Sequence, residues 1–172
     1  MKYLIIPILL IIASATFAQK INKIEKVSGY STYVKGNNFE GVIFDKDYKF
    51  PYGVVDSTYK RFTPTVAEIE LLEKTLMAQI KEINKNHPNQ ISQKSNINKH
   101  LSKYRRQYFG IITPKGERSI HVNCFLKEKN DDWQNKWKLE LYEMFDGGSY
   151  YWRVNFNITT KVFFDFSTNG IA

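Results

Sequence analysis

His121 and Cys124 are the two residues of this sequence that come nearest to a base and a nucleophile. Thiol chemistry needs the imidazole within hydrogen-bonding reach of the sulfur, so that it can take the thiol proton. Residues 119–126 alternate between apolar and polar side chains, and this period of two predicts a β-strand. Positions three apart on a strand point to opposite faces. We therefore interpret Cys124 as a buried small side chain and His121 as a surface histidine, and we predict no catalytic residue.

Metal ligands are also sparse. The three histidines, at positions 87, 100 and 121, have spacings that match no zinc-site pattern. Asp45 and Asp47 have the first spacing of a calcium loop, but Lys49 stands at the third ligand position and Phe50 where that loop needs glycine. Phosphate-cradling glycine loops and the serine and zinc motifs of common hydrolases are absent from the sequence. The sequence thus predicts no metal and no cofactor, and it favours a protein that is not an enzyme.

Positive charge is concentrated in one segment. The chain has 25 Lys and Arg against 17 Asp and Glu, a formal net charge of +8, and much of the excess lies in residues 81–106. If residues 95–105 form a helix, the cations there make a stripe above an apolar base, suited to an anionic surface or an acidic protein. The predicted anion- or partner-binding residues are Lys99, Lys103, Arg105 and Arg106. The alternative is a solvated face that only aids solubility.

A helix is the first element that must position these residues. Thr65 and Glu68 fit a capping box, in which the hydroxyl and the carboxylate satisfy free amides at a helix start. Apolar side chains then recur every three or four positions from Val66 to Ile83, which predicts one buried stripe. Pro88 marks the end of this helix.

Beyond Tyr104 the pattern changes to period two, with predicted strands at 119–126, 137–142, 150–158 and 162–166. For the second of these a helix is the alternative, because Trp133, Trp137, Leu141 and Phe145 also fit a helical stripe. We predict an α+β fold in which one long helix packs on a four- to five-stranded antiparallel meander. Residues 20–62 show less pattern. Short strands at 42–44 and 52–55, separated by glycine and proline turns, are the expectation there.

One face of this predicted meander gathers aromatic and polar side chains. If the helix covers the other face, an aromatic patch with polar groups is left at the surface, as is typical of a binding interface. The predicted interface residues are His121, Phe125, Tyr142, Tyr151, Arg153 and Asn155. The alternative is that residues 20–62 fold over this face and bury it.

The order of one helix and then an antiparallel meander, over about residues 65–168, resembles the cystatin-like group of folds. The tail, FDGGSYYW at 145–152 and FSTNG at 166–170, is similar to that of small exported bacterial proteins of unassigned function. Neither resemblance implies an activity. Protease-inhibiting cystatins carry a Q-x-V-x-G loop that this sequence lacks, so inhibition by that route is not implied.

The N-terminus has the pattern of a secretory signal: a lysine, an apolar run over residues 3–13 and small residues up to Ala18. It predicts a signal peptide over 1–18 and a single α+β domain over 19–172. The alternative is a retained anchor, but the run is shorter than the ~20 residues that span a bilayer, and Pro7 interrupts it. With no cysteine near the cleavage point, we expect a periplasmic or secreted protein without a lipid anchor, and no nucleic-acid partner.

Together these features predict an exported, non-enzymatic binding domain that recognises a protein or an anionic envelope component. It would do so through the aromatic face, the basic segment or both. One alternative is a small-ligand-binding or enzymatic α+β domain with a pocket between helix and sheet, which converging polar groups in such a pocket would favour. A second alternative is an inhibitor or immunity-type partner protein. The oligomeric state is not indicated by the sequence.

Overall fold

The computed structural model describes residues 19–51, 53–85, 95–127 and 136–170. In these residues the strands are β1 (Ile21–Lys26), β2 (Ser31–Gly36), β3 (Glu40–Phe44), β4 (Lys60–Phe62), β5 (Tyr104–Ile112), β6 (Arg118–Leu126), β7 (Tyr151–Asn157) and β8 (Val162–Thr168). The helices are α1 (Val66–Ile83) and α2 (Ile97–His100), with 3₁₀ turns at Leu101–Lys103, Lys136–Lys138 and Gly148–Tyr150. Neither helix in this described part of the chain has the length and apolarity needed to cross a bilayer.

All eight of these strands belong to one mixed sheet in the order β1-β2-β3-β5-β6-β7-β8, with β4 paired to β5. Neighbours are antiparallel except β3 and β5, which run parallel with Glu40 opposite Arg105 and Phe44 opposite Phe109. The connection between these two strands contains α1, consistent with the crossover that a parallel pair requires. The predicted fold, one long helix on a four- to five-stranded antiparallel meander of the cystatin-like kind, is wrong: the protein is mostly sheet. The N-terminal half supplies four strands to the sheet instead of leaving a meander alone.

Helix α1 itself is as predicted. The amide of Glu68 donates to Thr65 Oγ1 (3.2 Å), and the amide of Thr65 donates to Glu68 Oε2 (2.8 Å), so the capping box is complete. The buried stripe of α1 is Ile69, Leu72, Glu73, Leu76 and Ile80. The predicted stop at Pro88 lies outside the described residues.

The sheet has a hydrophobic core on each face. On the α1 face, Leu72 and Leu76 pack with Val122, Cys124 and Trp152, all buried. The burial of Cys124 among apolar side chains confirms the face assigned to it. On the opposite face, the buried aromatic residues are Tyr33, Phe44, Phe109, Phe125 and Trp137. Side chains of residues 48–50, 54–59 and 141–142 pack against this cluster. The alternative in which part of residues 20–62 covers this face is therefore correct in part.

Two short predicted strands are wrong. Gly53–Val55 forms a turn, while Tyr52 lies outside the described residues. Residues 137–142 form a 3₁₀ turn followed by irregular chain. The backbone groups of this second segment bond to side chains of the sheet, such as Gln107 and Asn123, and not to a neighbouring strand.

The helix considered over 95–105 is also shorter than expected. Asn96 caps α2 by accepting a bond from the amide of Lys99 (3.1 Å), but the helix ends after one turn. A 3₁₀ turn follows, and the chain enters β5 at Tyr104. Pairing of β5 with both β3 and β6 satisfies its backbone groups and takes residues 104 and 105 out of the helix.

Candidate ligand-binding cleft

A cleft opens on the sheet face opposite α1, between strands β5–β7 and the covering segments at 53–54 and 141–145. We call it the aromatic cleft; its volume is about 280 Å³. Its principal lining residues are Phe109, His121, Asn123, Tyr142, Tyr151 and Arg153. Four of the six predicted interface residues thus meet in one concave site.

The other two predicted interface residues lie behind or beside the cleft. Phe125 is 2% exposed and packs against Tyr142, with ring centroids 4.6 Å apart. Asn155 is partly buried and lies beside His121, whose Nδ1 is 2.9 Å from Asn155 Oδ1. Both residues support the lining side chains, and the walls of the cleft are thereby held in place.

His121 is held as a neutral imidazole. Burial lowers its pKa to about 4, with Arg153 and Arg61 adding to the shift and the contact with Asn155 opposing it. Asn155 Nδ2 lies 3.3 Å from Asp165 Oδ2, which sets the amide so that Oδ1 faces the histidine. We therefore assign the ring proton to Nδ1, which donates to Asn155, and leave Nε2 as an acceptor. With so low a pKa, His121 suits recognition better than proton transfer near neutral pH.

This state of His121 has a consequence for stability. The unfolded chain takes up a proton near pH 6.5 but the folded protein only near pH 4, so stability should fall as the pH drops through this interval. We expect the difference in unfolding free energy between wild type and His121→Gln to decrease by up to about 1.4 kcal/mol per pH unit there. Urea titrations at pH 7.5, 6, 5 and 4.5 would measure it. A difference that does not change with pH would contradict the assignment.

The inner wall of the cleft is joined to the sheet by two amide side chains. Gln107 is fully buried; its Nε2 donates to the carbonyls of Trp137 (2.7 Å) and Glu140 (2.8 Å), and its Oε1 accepts from the amide of Tyr142 (2.8 Å). Asn123 Nδ2 donates to Gln107 Oε1 (3.0 Å) and to the carbonyl of Tyr142 (2.8 Å). These hydrogen bonds take the place of a strand pairing and hold residues 137–142 in position against the sheet.

The mouth of the cleft carries exposed apolar side chains. Phe145 is 90% exposed, and Met144 next to it is also exposed. Asn169 holds this loop by donating to the carbonyls of Met144 and Asp146. Arg153 and Glu143 are the charged residues that line the cleft. A large apolar side chain thus stands in water beside a concave aromatic surface.

The predicted basic stripe is dispersed in the structure. Lys99 and Lys103 are exposed near the start of β5, whereas Arg105 and Arg106 are buried. As neighbours on a strand the two arginines point to opposite faces: Arg105 lies over the Trp137 ring at 4.9 Å, and Arg106 pairs with a glutamate of α1. The four residues do not form one exposed surface, and anion binding by them stays a prediction.

The aromatic composition of this sheet face was visible in the sequence, but Gln107 and Phe145 were not singled out. Gln107 carries no local signal, because it directly follows the two arginines of the basic segment, which the sequence pattern indicates as exposed. His121 and Cys124 lie on opposite faces, and burial raises the pKa of the Cys124 thiol well above its usual range. Within the described ranges, no group of three or more His, Cys, Asp or Glu side chains is placed to hold a metal ion.

The function is inferred from the shape, burial and charge of the described residues. Comparison with protein families, curated proteins and solved structures gives no match to this chain.

Proposed function

We propose that the protein is a non-enzymatic binding domain that receives an apolar or aromatic side chain of a partner protein in the aromatic cleft. The exposure of Phe145 at the cleft mouth carries this proposal, because a large apolar group left in water next to a concave aromatic site is typical of protein-binding surfaces. The cleft volume of about 280 Å³ lies just below the range of drug-sized ligand pockets. A single inserted side chain therefore fits it better than a large free ligand.

The charge of the chain favours an acidic partner. Arg153 is exposed at the cleft. Removal of residues 1–18 takes only Lys2 from the full-chain charge of +8, and the remaining charge of +7 gives the exported chain a positive field that attracts acidic surfaces. Glu143 is the opposing charge in the lining. A protein is a better match than an anionic envelope component, because Arg105 and Arg106 are buried. Export after removal of residues 1–18 is part of the proposal and would put the partner in the periplasm or outside the cell.

Pull-down from the native envelope fraction, with the exported protein as bait, tests this. Phe145→Ala and Arg153→Glu should each reduce capture of the partner by about tenfold, as expected for an apolar anchor and a charge at an interface. Tyr30→Ala, another exposed aromatic, and Lys115→Glu, an exposed turn lysine, are the matched controls and should retain capture.

The identity of the captured protein gives a second criterion. Its contact segment should contain an apolar or aromatic residue flanked by acidic ones, and a peptide of that segment should compete with it. Equal capture by wild type and Phe145→Ala would refute docking at this cleft.

A further inference from the structure

A second cavity lies on the other face of the sheet, under α1. We call it the helix cavity; its volume is about 440 Å³. One wall is α1, from Glu73 to Lys81. The other lining residues are Gln19, Asn38, Asn98, Lys99, Leu101, Ser102 and Arg106. The cavity shares no lining residue with the aromatic cleft. It is therefore a separate candidate site.

The inner end of the helix cavity presents a carboxylate. Glu73 is 3% exposed, and its Oε1 accepts a hydrogen bond from the hydroxyl of Tyr108 (2.8 Å) and lies 2.9 Å from Arg106 Nε. No hydrogen bond from a described residue reaches Glu73 Oε2, yet this atom is not among the side-chain atoms sealed from water. Because Glu73 lines the cavity and its hydrogen bond and ion pair both involve Oε1, we take Oε2 as the acceptor left for a bound group.

The neighbouring arginine cannot readily turn to serve a ligand. Arg106 Nη1 donates to the carbonyl of Tyr104 (2.6 Å) and Nη2 to that of Leu101 (3.0 Å), so the guanidinium is fixed in place. Its charge offsets that of Glu73 and disfavours a cationic group in the cavity. The group that best satisfies Glu73 Oε2 is therefore a neutral donor, such as a hydroxyl.

The rest of the lining combines apolar, uncharged polar and basic side chains. Gln19, which is 4% exposed, donates from Nε2 to Met77 Sδ (2.7 Å). Met77, Ala78 and Ile80 follow Glu73 along the α1 wall, and Leu101 faces them. Lys81 and Lys99 line its outer part. Glu73 and Lys81 are eight positions apart on α1, which corresponds to about 12 Å along the helix axis.

We infer that the helix cavity binds a hydroxylated organic acid with an apolar chain of about ten carbons, whose extended length matches that helical rise. The hydroxyl donates to Glu73 Oε2, the chain lies against Met77 and Ala78, and the carboxylate pairs with Lys81. Each part of this ligand corresponds to a different stretch of the cavity wall. Neither the proposed partner nor the aromatic cleft enters this inference.

Isothermal titration of the exported protein with 10-hydroxydecanoate as the probe tests the inference. Decanoate lacks the hydroxyl and 1,10-decanediol lacks the carboxylate, so each should bind about tenfold more weakly than the probe. If decanoate binds as tightly as 10-hydroxydecanoate, Glu73 does not accept a hydrogen bond from the ligand hydroxyl, and the inference fails. Absence of any binding at millimolar probe overturns it as well.

Variants of exposed α1 residues locate the site without disturbing the core. Ala78→Phe should fill the cavity and Lys81→Glu should repel the carboxylate, each weakening the probe by at least about tenfold. Gln79→Phe and Lys74→Glu, exposed on α1 but outside the cavity lining, should bind the probe like wild type. Circular dichroism of each variant confirms folding.

The Arg153→Glu variant separates the two sites, because Arg153 lines the aromatic cleft alone. It should bind the probe as wild type does. Loss of probe binding in Arg153→Glu, or its retention in Ala78→Phe, would place the probe elsewhere and overturn the inference. Failure of the partner pull-down would leave these results unaffected.

Discussion

Replacing Glu73 by alanine is expected to lower the free energy of unfolding by about 3–5 kcal/mol, because it leaves a buried charge without its counterion. Arg106 is 1% exposed, and Glu73 is the carboxylate paired with it. The Arg106 Nε–H does not point at the carboxylate well enough for a hydrogen bond, so the contact is an ion pair held by charge. Tyr108 would lose the acceptor of its hydroxyl as well. Urea unfolding near neutral pH measures the change.

Two further variants show that the loss comes from the unpaired charge. Glu82→Ala removes an exposed carboxylate of the same helix and should change stability by less than about 0.5 kcal/mol. Combining Glu73→Leu, Arg106→Met and Tyr108→Phe replaces the whole polar group by apolar side chains and should recover most of the loss. A deficit below about 1 kcal/mol in Glu73→Ala would mean that water solvates the Arg106 guanidinium once the carboxylate is gone, and it would contradict the predicted cost of an unpaired charge.

The parts of the fold that the sequence predicted correctly are those with local signals. Thr65 and Glu68 sit three residues apart and cap α1 through their own backbone groups, so no distant partner is needed. Short turns join β5 to β6 and β7 to β8. One face of β6 and β7 is buried under α1, which produces the alternation seen in the sequence. Signals of this kind consist of residues close together in the sequence, so the sequence alone is enough to detect them.

Strand β5 shows why the rest was missed. All residues from Tyr104 to Ile111 are buried, since both faces of the sheet are covered. Arg105 and Arg106 look like solvated cations in the sequence, but each finds a carboxylate far along the chain, on β3 and α1. The parallel pairing with β3 joins residues about 65 apart and leaves no trace in local periodicity. Charge alone therefore predicted a binding stripe where the structure has internal ion pairs.

The aromatic cleft was predicted in composition but not in shape. Alternation on β6 and β7 placed His121, Tyr151 and Arg153 on one face, and they do lie together. The segment at 137–142 also alternates, yet it satisfies its backbone groups through Gln107 and Asn123. Alternation does not show that side chains, and not a neighbouring strand, bind the backbone of residues 137–142. Gln107 and Asn123, which supply these side chains, are distant from that segment in the sequence.

Replacing Gln107 by leucine is expected to detach this wall and to lower the free energy of unfolding by about 3–4 kcal/mol. The leucine makes none of the four hydrogen bonds of the amide, each worth about 1 kcal/mol. Asn123→Ala removes two bonds and should cost about half as much. Chemical denaturation of the two variants measures the ratio.

Hydrogen exchange distinguishes loss of the wall from general loosening. In Gln107→Leu the amide of Tyr142 has lost its acceptor, so peptides covering 136–145 should exchange faster under native conditions, while peptides of α1 should keep their protection. Partner capture should fall together with this protection, because Tyr142 is a wall of the aromatic cleft. If exchange at 136–145 were unchanged while capture was lost, the wall would not depend on Gln107. The effect on the partner would then have to come through another part of the cleft.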